Sequence, residues 1–151
     1  MPRYRILALC ALAACLTVPA LPAAPAAASA EDQMVAKINS YRAKHGLPGV
    51  RKSKSLTRSA ERYSWKMMRS NYFGHQGRIA ASSKYRRLGE ILAYTSGTRP
   101  RVSEAFRMWL NSGGHKAVIM DRGFRYVGAG AASGRFGGRK ATLWTVHFGS
   151  R

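Results

Sequence analysis

An α+β domain, with helices leading and a sheet closing the chain, is the fold class this sequence predicts. Three observations carry it: apolar residues at helical spacing in the first half, strand-like runs around a glycine-rich turn near the end, and no cysteine beyond Cys10 and Cys15. Without a disulfide framework the domain must hold through its core. A domain of about 120 residues can bury roughly two thirds of its unfolded surface, which suffices without staples.

Residues 1–30 read as an export leader, because Arg3 and Arg5 precede an apolar run from Ile6 that closes on Ala28, Ser29 and Ala30, with cleavage after Ala30. Pro19, Pro22 and Pro25 interrupt the run, which argues against a membrane span. Leu12-Ala13-Ala14-Cys15 resembles a lipidation signal with Cys15 as the anchor, but Leu16 follows where small or polar residues are usual, so simple secretion is preferred. Residues 31–151 form one domain. Met34, Ile38 and Tyr41 predict a helix over 31–45, stopped by Gly46 and Pro48. Ser53 caps a second helix whose core stripe is Leu56, Ala60, Tyr63 and Met67 and which ends near Asn71. Residues 74–100 form an irregular segment with a short element around Tyr85 to Ala93, the kind of loop on which function often sits. Val102, Phe106 and Trp109 mark a third helical face; Ser112-Gly113-Gly114 breaks it before a brief turn from His115 to Met120. Tyr126 to Ala132 and Ala141 to Phe148 predict two antiparallel strands joined through Gly134 to Gly138.

The net charge is extreme. Setting aside Arg3 and Arg5 leaves 24 basic against 6 acidic residues, a net charge of +18 over residues 31–151. Such a surface attracts polyanions, and an export leader points it toward lipopolysaccharide, anionic phospholipid or wall polymer rather than nucleic acid. The plain alternative is solubility with nonspecific adhesion. Arg58, Arg62, Lys66 and Arg69 lie opposite the core stripe of the second helix as a candidate anion-binding row. Trp65 sits among them, either as a headgroup platform or packed beneath a neighbouring loop.

Short strings recur in a fixed order: Ile38-Asn39-x-Tyr41-Arg42 with Gly46-Leu47, Tyr72-Phe73-x-His75, Gly89-Glu90, Trp109-x-Asn111-Ser112-x-Gly114-His115, Val127-Gly128-x-Gly130, and Trp144-Thr145-x-x-Phe148-Gly149. Over residues 33–149 the chain resembles the CAP domain (cysteine-rich secretory proteins, antigen 5, pathogenesis-related 1), in its bacterial, cysteine-free SCP-like branch. The resemblance implies an α-β-α sandwich, with an antiparallel sheet between helical layers, and a cavity lined by two His and two acids. His75 and His115 match the two His positions and Glu90 the first acid, while Ser112 stands at the second acid. Ile91 replaces the usual Asn, and Val146-His147 replace a common Gln-Asp.

Two imidazoles and one carboxylate, His75, His115 and Glu90, are the ligand count of an open catalytic zinc site, and some members of the resembled family bind zinc in this cavity. A strongly cationic surface opposes metal entry, so a hydrogen-bonded cluster ordered by Glu90 is an equal reading. Ser112, three residues before His115, invites a Ser-His-Glu triad, but a Ser before Gly-Gly is expected to cap the next helical turn. A lysozyme-like reaction needs two carboxylates flanking one bond, and only Glu90 sits in a cleft-like context. The resembled family includes sterol and fatty-acid binders, so the favoured reading is an exported module for a small, lipid-like ligand. A zinc-dependent hydrolase is the alternative.

Overall fold

Helical periodicity and strand alternation set the elements of the computed structural model, which describes residues 27–151. In order they are α1 (Ala30–Lys44), β1 (Arg51–Lys52), α2 (Lys54–Ser70), β2 (Arg87–Ser96), α3 (Val102–Leu110), α4 (Gly113–Met120), β3 (Tyr126–Phe136) and β4 (Arg139–Ser150). Apart from residues 27–30, the expected leader and Cys15 lie outside the described residues. Helix α1 starts one residue earlier than predicted because Ser29 caps it, its hydroxyl accepting the Asp32 amide at 3.1 Å. Helix α2 begins and ends as the sequence requires. Ser53 is its N-cap, and Asn71 closes it in the left-handed region at φ 50°.

The sheet has the order β1-β3-β4-β2. β4 pairs antiparallel with both β3 and β2, whereas β1 pairs parallel with β3, so the sheet is mixed rather than wholly antiparallel. β1 is set by Asn39, whose side-chain amide donates to the Val50 carbonyl at 3.0 Å and accepts the Val50 N–H at 2.8 Å. The β3–β4 turn is made by Gly137 and Gly138, both at positive φ (55° and 78°), as a two-residue hairpin demands. The element expected near Tyr85 to Ala93 is the ten-residue strand β2, whose backbone is paired from Arg87 to Ser96.

Alternation sends side chains to two covered faces, giving an α-β-α sandwich. Ile91, Ala93, Val127, Trp144, Val146 and Phe148 face α1, α3 and α4, where Ile38, Phe106, Trp109 and Ile119 meet them. Leu92, Ala132 and Leu143 face Tyr63, Met67 and Met68 of α2 on the other side. Each fully buried large side chain of this kind contributes about 1.5–3 kcal/mol. Helix α2 lies on the backbone of β3: a Cβ on Gly128 would fall 2.1 Å from the Thr57 nitrogen, and one on Gly130 would fall 2.3 Å from the Glu61 nitrogen. That contact is why the Val127-Gly128-x-Gly130 string needs glycine at both positions.

Two buried polar groups join the layers. The Trp109 indole donates to the Leu92 carbonyl at 2.7 Å, tying α3 to β2. Arg42, fully buried, donates to the carbonyls of Pro48 at 3.0 Å, Ile119 at 2.6 Å and Asp121 at 2.9 Å. Its guanidinium therefore sits at the negative end of α4 and holds that helix against α1, which fixes where His115 at the opposite end can reach.

Candidate functional site

Glu90 and His147 are cross-strand partners on β2 and β4, and both point to the face that α2 covers. His147 is fully buried, and the Glu90 side chain is only 5% exposed. Such a carboxylate must be hydrogen-bonded to stay ionised. Its Oε1 accepts from His75 Nδ1 at 2.8 Å and from the Gln76 amide at 3.2 Å. Its Oε2 accepts from Gln76 Nε2 at 2.7 Å and from His147 Nε2 at 2.9 Å. Burial pushes the Glu90 carboxyl up, but the hydrogen bonds from His147, Gln76 and His75 outweigh it and leave the group below its ordinary value.

This arrangement assigns protons. A carboxylate receiving from both rings requires His75 to carry hydrogen on Nδ1 and His147 on Nε2. Nε2 of His75 is then the ring nitrogen not engaged by Glu90, while His147 Nδ1 is buried without a partner. His115, near the start of α4, places its ring centroid 6.3 Å from that of His75. Burial, then the neighbouring His75, hold its imidazole below the usual histidine range. The segment after α2 is pinned by Tyr63, whose hydroxyl donates to the Gly74 carbonyl. Burial raises the Tyr63 phenol, with Glu90 and Tyr72 adding to the effect.

A cavity of about 310 Å³ opens beside His75, lined by Tyr63, Lys66, Met67, Tyr72, Gln76 and Arg78 among others. Its walls set Tyr63, Met67 and Tyr72 beside polar Ser70, His75 and Gln76, and its formal charges, Lys66 and Arg78, are cationic. Gln76 to Arg78 also border a larger groove of about 950 Å³ that runs to Tyr85 and Leu88.

Of the three residues singled out from the sequence, Glu90 and His75 are hydrogen-bonded, and His115 lies beside the His75 ring with no hydrogen bond to either. Among the described residues no three His, Cys, Asp or Glu side chains are arranged to hold a metal ion. Both oxygens of Glu90 are occupied by N–H donors, so the donors that remain for a cation are the two imidazoles, with Glu90 behind one of them. Ser112 does occupy the N-cap of α4, with its carbonyl accepting the Lys116 amide at 2.9 Å, yet its hydroxyl makes no capping bond and no bond to His115. The expected side-chain cap is therefore corrected to a backbone role. Arg58, Arg62, Trp65, Lys66 and Arg69 are all exposed on the outer side of α2. Trp65 remains 43% exposed rather than packing beneath a loop, and Lys66 also lines the cavity.

Sequence reasoning missed Gln76, which donates to Glu90 from both its backbone and its side-chain amide, and the part Tyr63 plays in holding the loop. Gln76 carried a weak signal as the neighbour of His75. Tyr63 carried none, because its helical spacing reads as core.

A family model described as the cysteine-rich secretory protein family, CAP, matches residues 35–148. The protein YkwD of Bacillus subtilis is 29% identical over 127 residues, covering 78% of this chain and 46% of its own length. The chain therefore spans less than half of that curated relative. Among solved structures, an outer surface protein of Borrelia burgdorferi superimposes with a TM-score of 0.67 at 19% identity, over 79% of this chain and 90% of that one. An extracellular protein containing an SCP domain from Bacillus anthracis gives 0.64 at 21% identity, over 81% of this chain and 40% of that one. At such identities the structural likeness speaks for the fold alone.

Proposed function

The chain belongs to the cysteine-rich secretory protein (CAP) family, and from that premise we propose that it is an exported binding module for a small, lipid-like ligand at an anionic cell envelope. Two structural neighbours, one an outer surface protein and the other an extracellular protein, support a place outside the cytoplasm. Among the described residues no helix is long and apolar enough to cross a membrane. Secretion after removal of residues 1–30 is the favoured route, with an anchor at Cys15 second.

The observation that carries the reading is the cavity beside His75. Tyr63, Met67 and Tyr72 offer apolar and aromatic wall, while Lys66 and Arg78 stand ready for an anionic head group. The titratable groups next to it are engaged with one another. Among the described residues Glu90 is engaged by donors on both oxygens, no second carboxylate hydrogen-bonds within its cluster, and Ser112 makes no bond to His115, which supports neither a glycosidase pair nor a serine triad.

One observation favours a second reading, a zinc-dependent hydrolase. Glu90 on Nδ1 of His75 is the kind of hydrogen bond that commonly orients a metal-binding imidazole; it leaves Nε2 of His75 free of Glu90, and the His115 ring lies 6.3 Å from the His75 ring. On this reading an ion would be held by His75 and His115 with Glu90 orienting the first ring, rather than by the three-ligand set expected from the sequence. Such an ion would supply an activated water.

Native mass spectrometry of the exported protein, purified without chelator, separates the two. A co-purifying fatty acid, sterol or similar amphiphile that persists in His75→Ala and His115→Ala is the expected outcome. Stoichiometric zinc that disappears in His115→Ala, with no bound amphiphile, would instead make the hydrolase the better account.

A further inference from the structure

We propose that the end of the molecule formed by the α2 terminus and the β3–β4 turn inserts its aromatic side chains into the interface of an anionic phospholipid bilayer. The inference rests on the reading that the protein works at an anionic envelope, and adds which surface meets the lipid and how. Tyr72 and Phe73 are two of the four large apolar side chains left exposed among the described residues, at 58% and 40%. They directly follow Asn71, whose side-chain oxygen accepts the Gly137 N–H and so docks the hairpin turn beside them. Phe73 meets Tyr94 edge-on at 6.4 Å, and Tyr94 meets Phe136 at 5.8 Å, making a row of rings from the loop to the hairpin. Tyr94 and Phe136 pack on the α2-side core, so the row is an outward continuation of buried apolar structure.

Charge selects the occupant. Arg69, Arg135 and Arg139 are exposed on the segments that form this end, and no acidic residue occurs in 62–74, 91–103 or 133–142. A second copy of the chain would bring the same cations together, which like-charge repulsion opposes. A hydrated anionic polymer would satisfy the guanidinium groups but leave Tyr72 and Phe73 in water. An anionic bilayer satisfies both: aromatic rings settle at head-group depth, and Arg side chains reach the phosphates.

The test is co-sedimentation with vesicles of phosphatidylcholine, alone or mixed with phosphatidylglycerol. The Tyr72→Ser, Phe73→Ser double variant keeps every cation and should lower partitioning onto the mixed vesicles about tenfold. Because residues 31–151 contain no cysteine, Tyr72→Cys can carry an environment-sensitive fluorophore. That label should shift to the blue and be quenched by spin-labelled lipid, whereas the same label at Lys116→Cys on α4 should stay aqueous. Unchanged partitioning of the double variant with an aqueous label at position 72 overturns insertion, even if reversal of the α2 cations abolishes binding and so upholds the electrostatic reading. Failure of every form to bind anionic vesicles sinks both. A dimer in gel filtration that the double variant dissociates would give the patch to a second copy and also overturn the proposal.

Discussion

Glu90 shows how much a single buried group depends on its donors, since four N–H groups offset a desolvation that would otherwise neutralise it. Replacing it with Gln keeps the shape but removes the acceptor charge and turns one terminal atom into a donor facing other donors. Glu90→Gln should cost about 2–3 kcal/mol near neutrality, read from urea denaturation. The sign with pH follows from the depressed value in the folded state. The carboxylate's contribution is complete above its ordinary value of 4.5 and is lost as pH falls through the lower folded value, so the gap between wild type and Glu90→Gln should close only on the acid side. His115 runs the same way at higher pH. Its imidazole is held below the ordinary 6.5, so the unfolded chain takes up the proton first and stability declines as pH drops from 6.5 toward the folded value. His115→Asn should flatten that part of the stability profile. A profile unchanged in both variants would mean that neither group is placed as described.

Among the elements, the contact of α2 with β3 is the most exacting, because backbone meets backbone and nothing there can swing aside. Gly130→Ala should therefore destabilise by about 3 kcal/mol, whereas Gly138→Ala at the open turn, with only its positive φ of 78° to strain, should cost about 1 kcal/mol; thermal melts would give the ranking. Equal effects would show that α2 can lift away from the sheet. The legibility of the fold tracks the same physics. Ser53, the stripe through Leu56, Ala60, Tyr63 and Met67, and Gly137-Gly138 each follow from local periodicity or dihedral demand, so α2 and the hairpin are readable in advance. β2 is not, because helices cover both its faces and Ile91, Leu92 and Ala93 form an unbroken apolar run without alternation. β1 is two residues long and is defined by a parallel partner some 75 positions later, a pairing that no local pattern reveals. At the site the family strings lead to His75, Glu90 and His115. The hydrogen bonds from Gln76 and His147 arise only when the loop after α2 folds onto two paired strands.

At the scale of the whole molecule the dominant quantity is charge: 24 cations against 6 acids over residues 31–151, with the outer side of α2 among the densest stretches. Arg58, Arg62, Lys66 and Arg69 are exposed, and of the four only Arg62 is tied back, donating to the Ala80 carbonyl at 3.2 Å. Reversing all four to Glu should leave the fold intact, since their neighbours on the buried side of α2 are untouched, and a circular dichroism melt would check this. Each cation near an anionic lipid surface is worth about 1 kcal/mol, so losing four attractions lowers adhesion to anionic lipid or lipopolysaccharide by as much as roughly a thousandfold at low salt. Salt should act on the same term. As the screening length shrinks from about 10 Å at 0.1 M to about 3 Å at 1 M, wild-type binding should fall toward that of the reversed variant, and the variant itself should respond weakly. Vesicle and lipopolysaccharide pull-downs across that range read both changes together. Binding that survives high salt and the fourfold reversal alike would have to come from apolar contact, and the cationic row on α2 would then be a solubilising face with no part in adhesion.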